Sequence, residues 1–260
     1  MIVKCMQKNL QDILDYIGQD YGQCLYLYID LLKYGFENEN INVWWQKQDE
    51  KTTALVLQYY TGTHVFSRQG KYDAAEIAFL LKEIDPSMIC GMKMTLSQLE
   101  PFFENYELEL GLVGKLTNLK TYHTQGCYKA NEEEIRELAQ VLSEDEALGK
   151  PYGFELLYKQ LLERYREGFG RNYINRDEGR IVATASTYAE QRGVAVISGV
   201  FVEPKFRGKG LSKNVLSAIC ADLIEEGIEV FSYYYIESAT RMHQAVGFEP
   251  IGDWAKLVRI

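Results

Sequence analysis

The chain of 260 residues lacks the spacings that announce a disulfide scaffold or a metal site. Its cysteines, Cys5, Cys24, Cys90, Cys127 and Cys220, are scattered, odd in number and without a CxxC pair. They read as free thiols in a reducing compartment. The histidines, His64, His123 and His243, are too dispersed for a zinc motif, so no metal is expected. No apolar run reaches membrane-spanning length, and the opening MIVKCMQKNLQD has no signal-peptide apolar core. A cytoplasmic protein with no membrane partner is therefore expected. A basic surplus is missing as well: the net charge is −9, with −5 through Gln125 and −4 beyond it. Phosphate backbones need a basic face, so nucleic acid is not an expected partner. What remains is an ordinary globular composition, 47% hydrophobic and 25% charged, long enough for one large domain or two smaller ones.

The most telling stretch is 200–213, VFVEPKFRGKGLSK. An apolar run, Val200, Phe201 and Val202, ends at Glu203-Pro204. An Arg-Gly-Lys-Gly segment follows, and then an amphipathic helix expected over 208–226, with Leu211, Val215, Ile219 and Leu223 at steps of four. A strand entering a glycine-bearing turn at a helix start suits a phosphate, because the first amides point outward and the helix dipole favours an anion. Gly208 and Gly210 let a ligand approach the backbone. Arg207, Lys209 and Lys213 add positive charge.

Around this stretch the second half reads β-α-α-β-β-β-α-β-α-β. Asn131 and Glu134 have capping-box spacing at the start of an acidic helix. Strands are expected over 172–175, 181–188 and 194–202, then 228–236 and a closing region over 248–260. A short helix over 238–246 lies between the last two. The first half shows a similar order, ending in a hairpin expected over 106–113 and 116–122. At the junction matching 200–213 it has Ser67-Arg68-Gln69-Gly70-Lys71-Tyr72-Asp73, with a single glycine and an acidic residue where a phosphate would be approached. The shared order suggests a tandem duplication whose first copy no longer binds the ligand. The expected fold class is α+β, with a mixed central sheet flanked by helices in each of two domains, 1–125 and 126–260.

Arg207 to Ser212 fits the motif R-x-x-G-x-(G/A), with Ser212 in the final place. Further on, Ala239-Thr240-Arg241-Met242-His243-Gln244-Ala245-Val246-Gly247-Phe248 matches A-x-x-L-Y-x-x-x-G-F apart from Met242 and His243. Together the motifs resemble the GNAT superfamily of N-acetyltransferases. The resemblance covers about 127–260 well and the first half in topology only. It implies an acyl-CoA ligand, most often acetyl-CoA. The pyrophosphate would lie on the backbone of Gly208, Lys209, Gly210, Leu211, Ser212 and Lys213 beside Arg207. The pantetheine arm would pair with Val200, Phe201 and Val202 where two strands splay apart.

The resemblance implies direct attack of an amine on the thioester, with a backbone N–H near Phe201–Val202 for the oxyanion. The family's usual acid for the departing thiolate is a tyrosine at the position of His243. His243 either keeps that role or is packed beside the sulfur. Ile236 stands where a cofactor-binding asparagine is common. The base stays open among Glu190, Glu237, a tyrosine-bound water or none. Of Tyr233, Tyr234 and Tyr235, alternate members face opposite sides of the sheet, so at least one is expected in the acceptor cleft. The expected activity is acetyl transfer from acetyl-CoA to a primary amine of a small molecule or protein. Two alternatives stand beside it: a CoA-binding sensor without catalysis, and a tRNA-dependent aminoacyl transferase, which the acidic charge disfavours.

Overall fold

The computed structural model describes residues 1–120, 122–145, 148 and 153–260. The backbone divides into two compact units, Met1–Val113 with Pro250–Ile260, and Gly114–Glu249. The halves expected from the sequence, 1–125 and 126–260, are offset from this division.

In the first unit, β1 (Ile2–Lys4), α1 (Leu10–Ile17) and α2 (Leu25–Tyr34) precede a meander of β2 (Ile41–Gln48), β3 (Lys51–Tyr59) and β4 (Gly62–Phe66). Then come α3 (Ala74–Ile84), β5 (Met88–Met92), α4 (Lys93–Leu99) and β6 (Tyr106–Leu116), of which Gly114–Leu116 belong to the second unit. β4 and β5 are parallel, joined by α3, and the other recorded pairings of this unit are antiparallel. The alternation of strand residues sorts the core. Leu55, Leu57 and Phe66 pack with Ile13, Leu27 and Leu31 of α1 and α2, while Val56, Val65 and Ile89 pack with Ile77, Leu81 and Leu96 of α3 and α4.

The second unit contains β7 (Cys127–Lys129), α5 (Ile135–Ser143), α6 (Phe154–Arg166), β8 (Asn172–Asp177), β9 (Arg180–Gln191) and β10 (Val194–Val202). It closes with α7 (Leu211–Glu225), β11 (Glu229–Tyr234) and α8 (Glu237–Val246). The strand order is β11-β10-β9-β8-β7, with β10 and β11 parallel around the α7 crossover. Ala195, Ile197 and Val230 pack under Val215, Ile219 and Leu223 of α7, and Ile174, Ile181 and Phe201 pack under α5 and α6. Both units thus show the expected mixed sheet between helices. The capping box before α5 is formed: Asn131 Oδ1 accepts the Glu134 amide at 3.1 Å, and Glu134 Oε2 accepts the Asn131 amide at 2.9 Å.

Two features depart from the expected pattern. The closing strand β12 (Phe248–Arg259) pairs through Trp254–Val258 with β5, so its outer part belongs to the first unit. The expected hairpin over 106–122 is instead the single strand β6, ending at Leu116. The reason lies in the backbone that follows. The Thr117 and Lys120 amides donate to Gly247 O and Val246 O at 3.1 and 2.9 Å, so this stretch caps the end of α8. Gly247 allows it: its φ is +115°, and a Cβ there would stand 1.9 Å from Asn118 O. No helix among the described residues is long and apolar enough to cross a membrane.

Candidate functional site

Two neighbouring strands of the second unit part company at one end. β10 and β11 pair from Val194 with Glu229 as far as Ile197 with Ser232. β10 then runs on through a bulge, where its register against β9 shifts between Ser198 and Phe201 and Gly199 takes φ +58°. Beyond the bulge, the Glu203 amide donates to Val182 O of β9 at 2.9 Å. Backbone groups alternate along a strand, so those of Val202 point away from β9, to the side β11 has left. Val200 and Val202 pack on the α7 face, whereas the Phe201 side chain is buried with α5 and α6. The carboxyl ends of parallel strands, where two diverge, are where α/β sheets form crevices for ligands.

The chain leaves β10 through a single turn at Pro204–Phe206 and enters α7 at Gly210. Gly208 and Gly210 have φ +80° and +84°, a region that L-residues occupy only with strain, and nothing lies within 4 Å of where a Cβ would stand. No side chain caps α7. The Gly208, Lys209, Gly210, Leu211 and Ser212 amides have no acceptor among the described residues. Lys213 differs from the expectation, because its amide donates to Gly210 O at 3.0 Å. The Lys213 ammonium lies 4.7 Å from the centre of the Tyr122 ring, and Lys209 Nζ lies 4.7 Å from that of Phe206. Arg207 Nε donates to Val202 O at 3.1 Å.

The corresponding junction of the first unit is built differently. β4 and β5 remain paired to Val65 and Gly91, one residue from the end of β4 at Phe66, so no fork opens. The start of α3 is occupied from within the chain. Asp73 Oδ1 accepts the Glu76 amide at 3.0 Å, and the Asp73 amide donates to Gln46 Oε1 at 2.8 Å. A carboxylate of the protein stands where an anionic ligand would.

His243 lies on α8 against the fork, 3% exposed, with its ring stacked on Tyr234 at 4.6 Å and edge-on to Phe248 at 5.1 Å. Nδ1 is 2.8 Å from Ala239 O, a carbonyl that only accepts, so Nδ1 carries the hydrogen. Nε2 is therefore the acceptor, and Ser232 Oγ donates to it at 2.8 Å. Burial lowers the His243 pKa to about 4, against a smaller opposing effect of the Ala239 carbonyl. The ring is neutral near pH 7 with both nitrogens engaged. That geometry does not fit an imidazolium donating to a thiolate, the first of the two roles left open for His243, and is that of a packed ring, the second.

The remaining candidates separate. Glu190 chelates Arg171 through Nε at 2.9 Å and Nη2 at 2.8 Å and also accepts from Thr187 Oγ1 at 2.7 Å. Arg171 is 5% exposed and also meets Asp222 and Glu226, so Glu190 belongs to a structural ion cluster. Glu237 pairs with Arg241 on the surface of α8. Tyr234 is buried with its hydroxyl unpartnered against Gly114, whereas Tyr233 and Tyr235 are half-buried on the alternate face. Ile236 is exposed and gives the start of α8 no side-chain cap. Ser232 and Arg171 were not anticipated: their partners lie 11 and more positions away in sequence, without a fixed spacing to reveal them.

The model of the Acetyltransferase (GNAT) family matches residues 133–248. Among solved structures, a GCN5-related N-acetyltransferase from Sphaerobacter thermophilus is 16% identical, with a TM-score of 0.66, over 98% of this chain and 94% of its own. A GCN5-related N-acetyltransferase-like protein from Streptococcus suis is 12% identical, with a TM-score of 0.63, over 98% of this chain and all (100%) of its own. A tandem GNAT protein from the clavulanic acid biosynthesis pathway is 12% identical, with a TM-score of 0.62, over 99% of this chain and 97% of its own. At these identities the likeness is one of fold. A search of curated protein sequences found no match.

Proposed function

From the match of the GNAT family model to residues 133–248, we propose that the chain is an acyl-CoA-dependent N-acyltransferase. In this reading it moves an acetyl group from acetyl-CoA to a primary amine of a small molecule or protein. One observation carries the reading: past Ile197 β10 runs on beside β9 without β11, and through the Pro204–Phe206 turn it reaches an uncapped start of α7 with two left-handed glycines.

The residues present suit the cofactor. The 208–212 amides and the open space over Gly208 and Gly210 form a cradle for a pyrophosphate. Arg207, Lys209 and Lys213 contribute through their side chains. Val200 and Val202, on the unpaired edge of β10, suit the amides of a pantetheine arm, with the Phe201 backbone between them. When bound, the thioester supplies an activated acyl carbon. An amine nitrogen bonds to that carbon as the carbon–sulfur bond breaks, and the amine's proton is balanced by the one taken up by the sulfur.

The chain's own part is to orient these groups. In this reading a β10 backbone N–H near 201–202 meets the oxyanion. His243 acts as a positioning residue, fixing α8 to β11 through Ser232. Glu190 and Glu237 are held in ion pairs, so the amine proton is assigned to water.

The non-catalytic alternative, a CoA-binding sensor, is favoured by one observation: His243 has no proton to offer at the fork. Thiol release from acetyl-CoA with a panel of primary amines separates the two. Turnover above the rate of hydrolysis supports the transferase. Binding of acetyl-CoA without thiol release with any amine supports the sensor.

A further inference from the structure

Arg207, the first residue of the glycine turn, is held by two groups other than the turn itself. Its Nε donates to Val202 O at 3.1 Å, and Nη2 lies 3.8 Å from Asp145 Oδ2. Asp145 follows the end of α5, and its other oxygen accepts the Leu148 amide at 3.1 Å. The two partners are unequal in freedom. The Arg207 side chain is 59% exposed, whereas that of Asp145 is 19% exposed and anchored through Leu148. Arg207 is thus the partner that can move.

Resting on the reading of this site as an acyl-CoA cradle, we propose that Asp145 and the cofactor's phosphates compete for the Arg207 guanidinium, which makes the Asp145–Arg207 pair an autoinhibitory contact. A guanidinium pairs strongly with phosphate, and a pyrophosphate over the 208–212 amides lies within the sweep of the Arg207 side chain. Turning toward it takes the guanidinium from Asp145 and Nε from Val202 O together. Val202 O faces the side of β10 that β11 has left, so its release makes an acceptor available to an N–H of the pantetheine arm. Phosphate binding and arm binding are thereby linked through one side chain.

The test is a double-mutant cycle read by calorimetric titration with CoA. Asp145→Asn keeps an oxygen for the Leu148 amide and removes the charge. It is expected to tighten CoA binding about two- to five-fold, the range of an exposed ion pair. Arg207→Gln weakens binding. In the Arg207→Gln background the gain from Asp145→Asn disappears, because the competition has lost its object. A gain that persists there reflects only the removal of a nearby negative charge and overturns the proposal, as does Asp145→Asn with unchanged affinity. Wild-type protein that binds no CoA overturns the acyl-CoA reading and this inference with it. Binding with additive variants overturns the inference alone.

Discussion

Ser232 gives its hydroxyl proton to Nε2 of His243 across 2.8 Å, and the opposite ring nitrogen gives its own to Ala239 O. The histidine is thereby a tie between β11 and α8. Replacing it with phenylalanine removes the tie and leaves Ser232 unpartnered in a buried place. If His243 positions the fork, His243→Phe raises the KM for acetyl-CoA several-fold, and His243→Gln, which can still accept from Ser232, restores part of the loss. The kcat–pH profile keeps its shape in both. Loss of an ionisation near neutral pH in the variants would return His243 to the role of acid.

The same burial makes a prediction about stability. The folded pKa of about 4 lies below the ordinary value of 6.5, so between these values the unfolded chain binds the extra proton. His243 therefore contributes stability that is fully present above pH 6.5 and is lost as pH falls toward 4. The depression corresponds to about 3 kcal/mol. His64, whose pKa burial also lowers to about 4, acts with the same sign. Urea unfolding between pH 4 and 7 should show a shallower pH slope for His243→Phe than for the wild type.

Arg171 is the buried centre of a cluster with Glu190, Asp222 and Glu226. Its removal leaves Glu190, 11% exposed, without its counter-charge. Arg171→Ala should destabilise the chain by about 3–5 kcal/mol in urea unfolding. Adding Glu190→Gln should recover part of that loss, since a neutral amide is less costly to bury.

Gly247→Ala places a Cβ 1.9 Å from Asn118 O at a φ of +115°. Either the 117–120 backbone or the end of α8 must shift. A loss of about 2–4 kcal/mol is expected in the same assay, from strain and overpacking together.

Much of the site was legible because it is local. The turn glycines, the basic residues beside them and the apolar run before them are contiguous in sequence. So is the substitution of Asp73 in the first unit, which fills the helix start that Gly210 leaves open. The rest depends on contacts distant in sequence. Nothing in the spacing of Ser232 and His243 shows which partners the ring takes, and a histidine on a motif position reads equally as an acid or as a packed ring until they are seen. The hairpin expected over 106–122 failed for a related reason. Its second half has apolar residues at Leu116, Leu119 and Tyr122, but the Thr117, Asn118 and Lys120 amides donate to Gly247 O and Val246 O. The paired end of β12 likewise reads as part of the second half until its register with β5 is known.

Binding of an acyl-CoA's phosphates by the turn at 208–212 is tested most directly by calorimetric titration of CoA into wild-type protein and Gly210→Val. A branched side chain at φ +84° strains the turn and crowds the amides at the start of α7. Saturable binding of CoA to the wild type is expected, with at least a ten-fold weakening in a Gly210→Val protein that remains folded by circular dichroism. Absence of binding to the wild type, or equal affinity in both proteins, would contradict it.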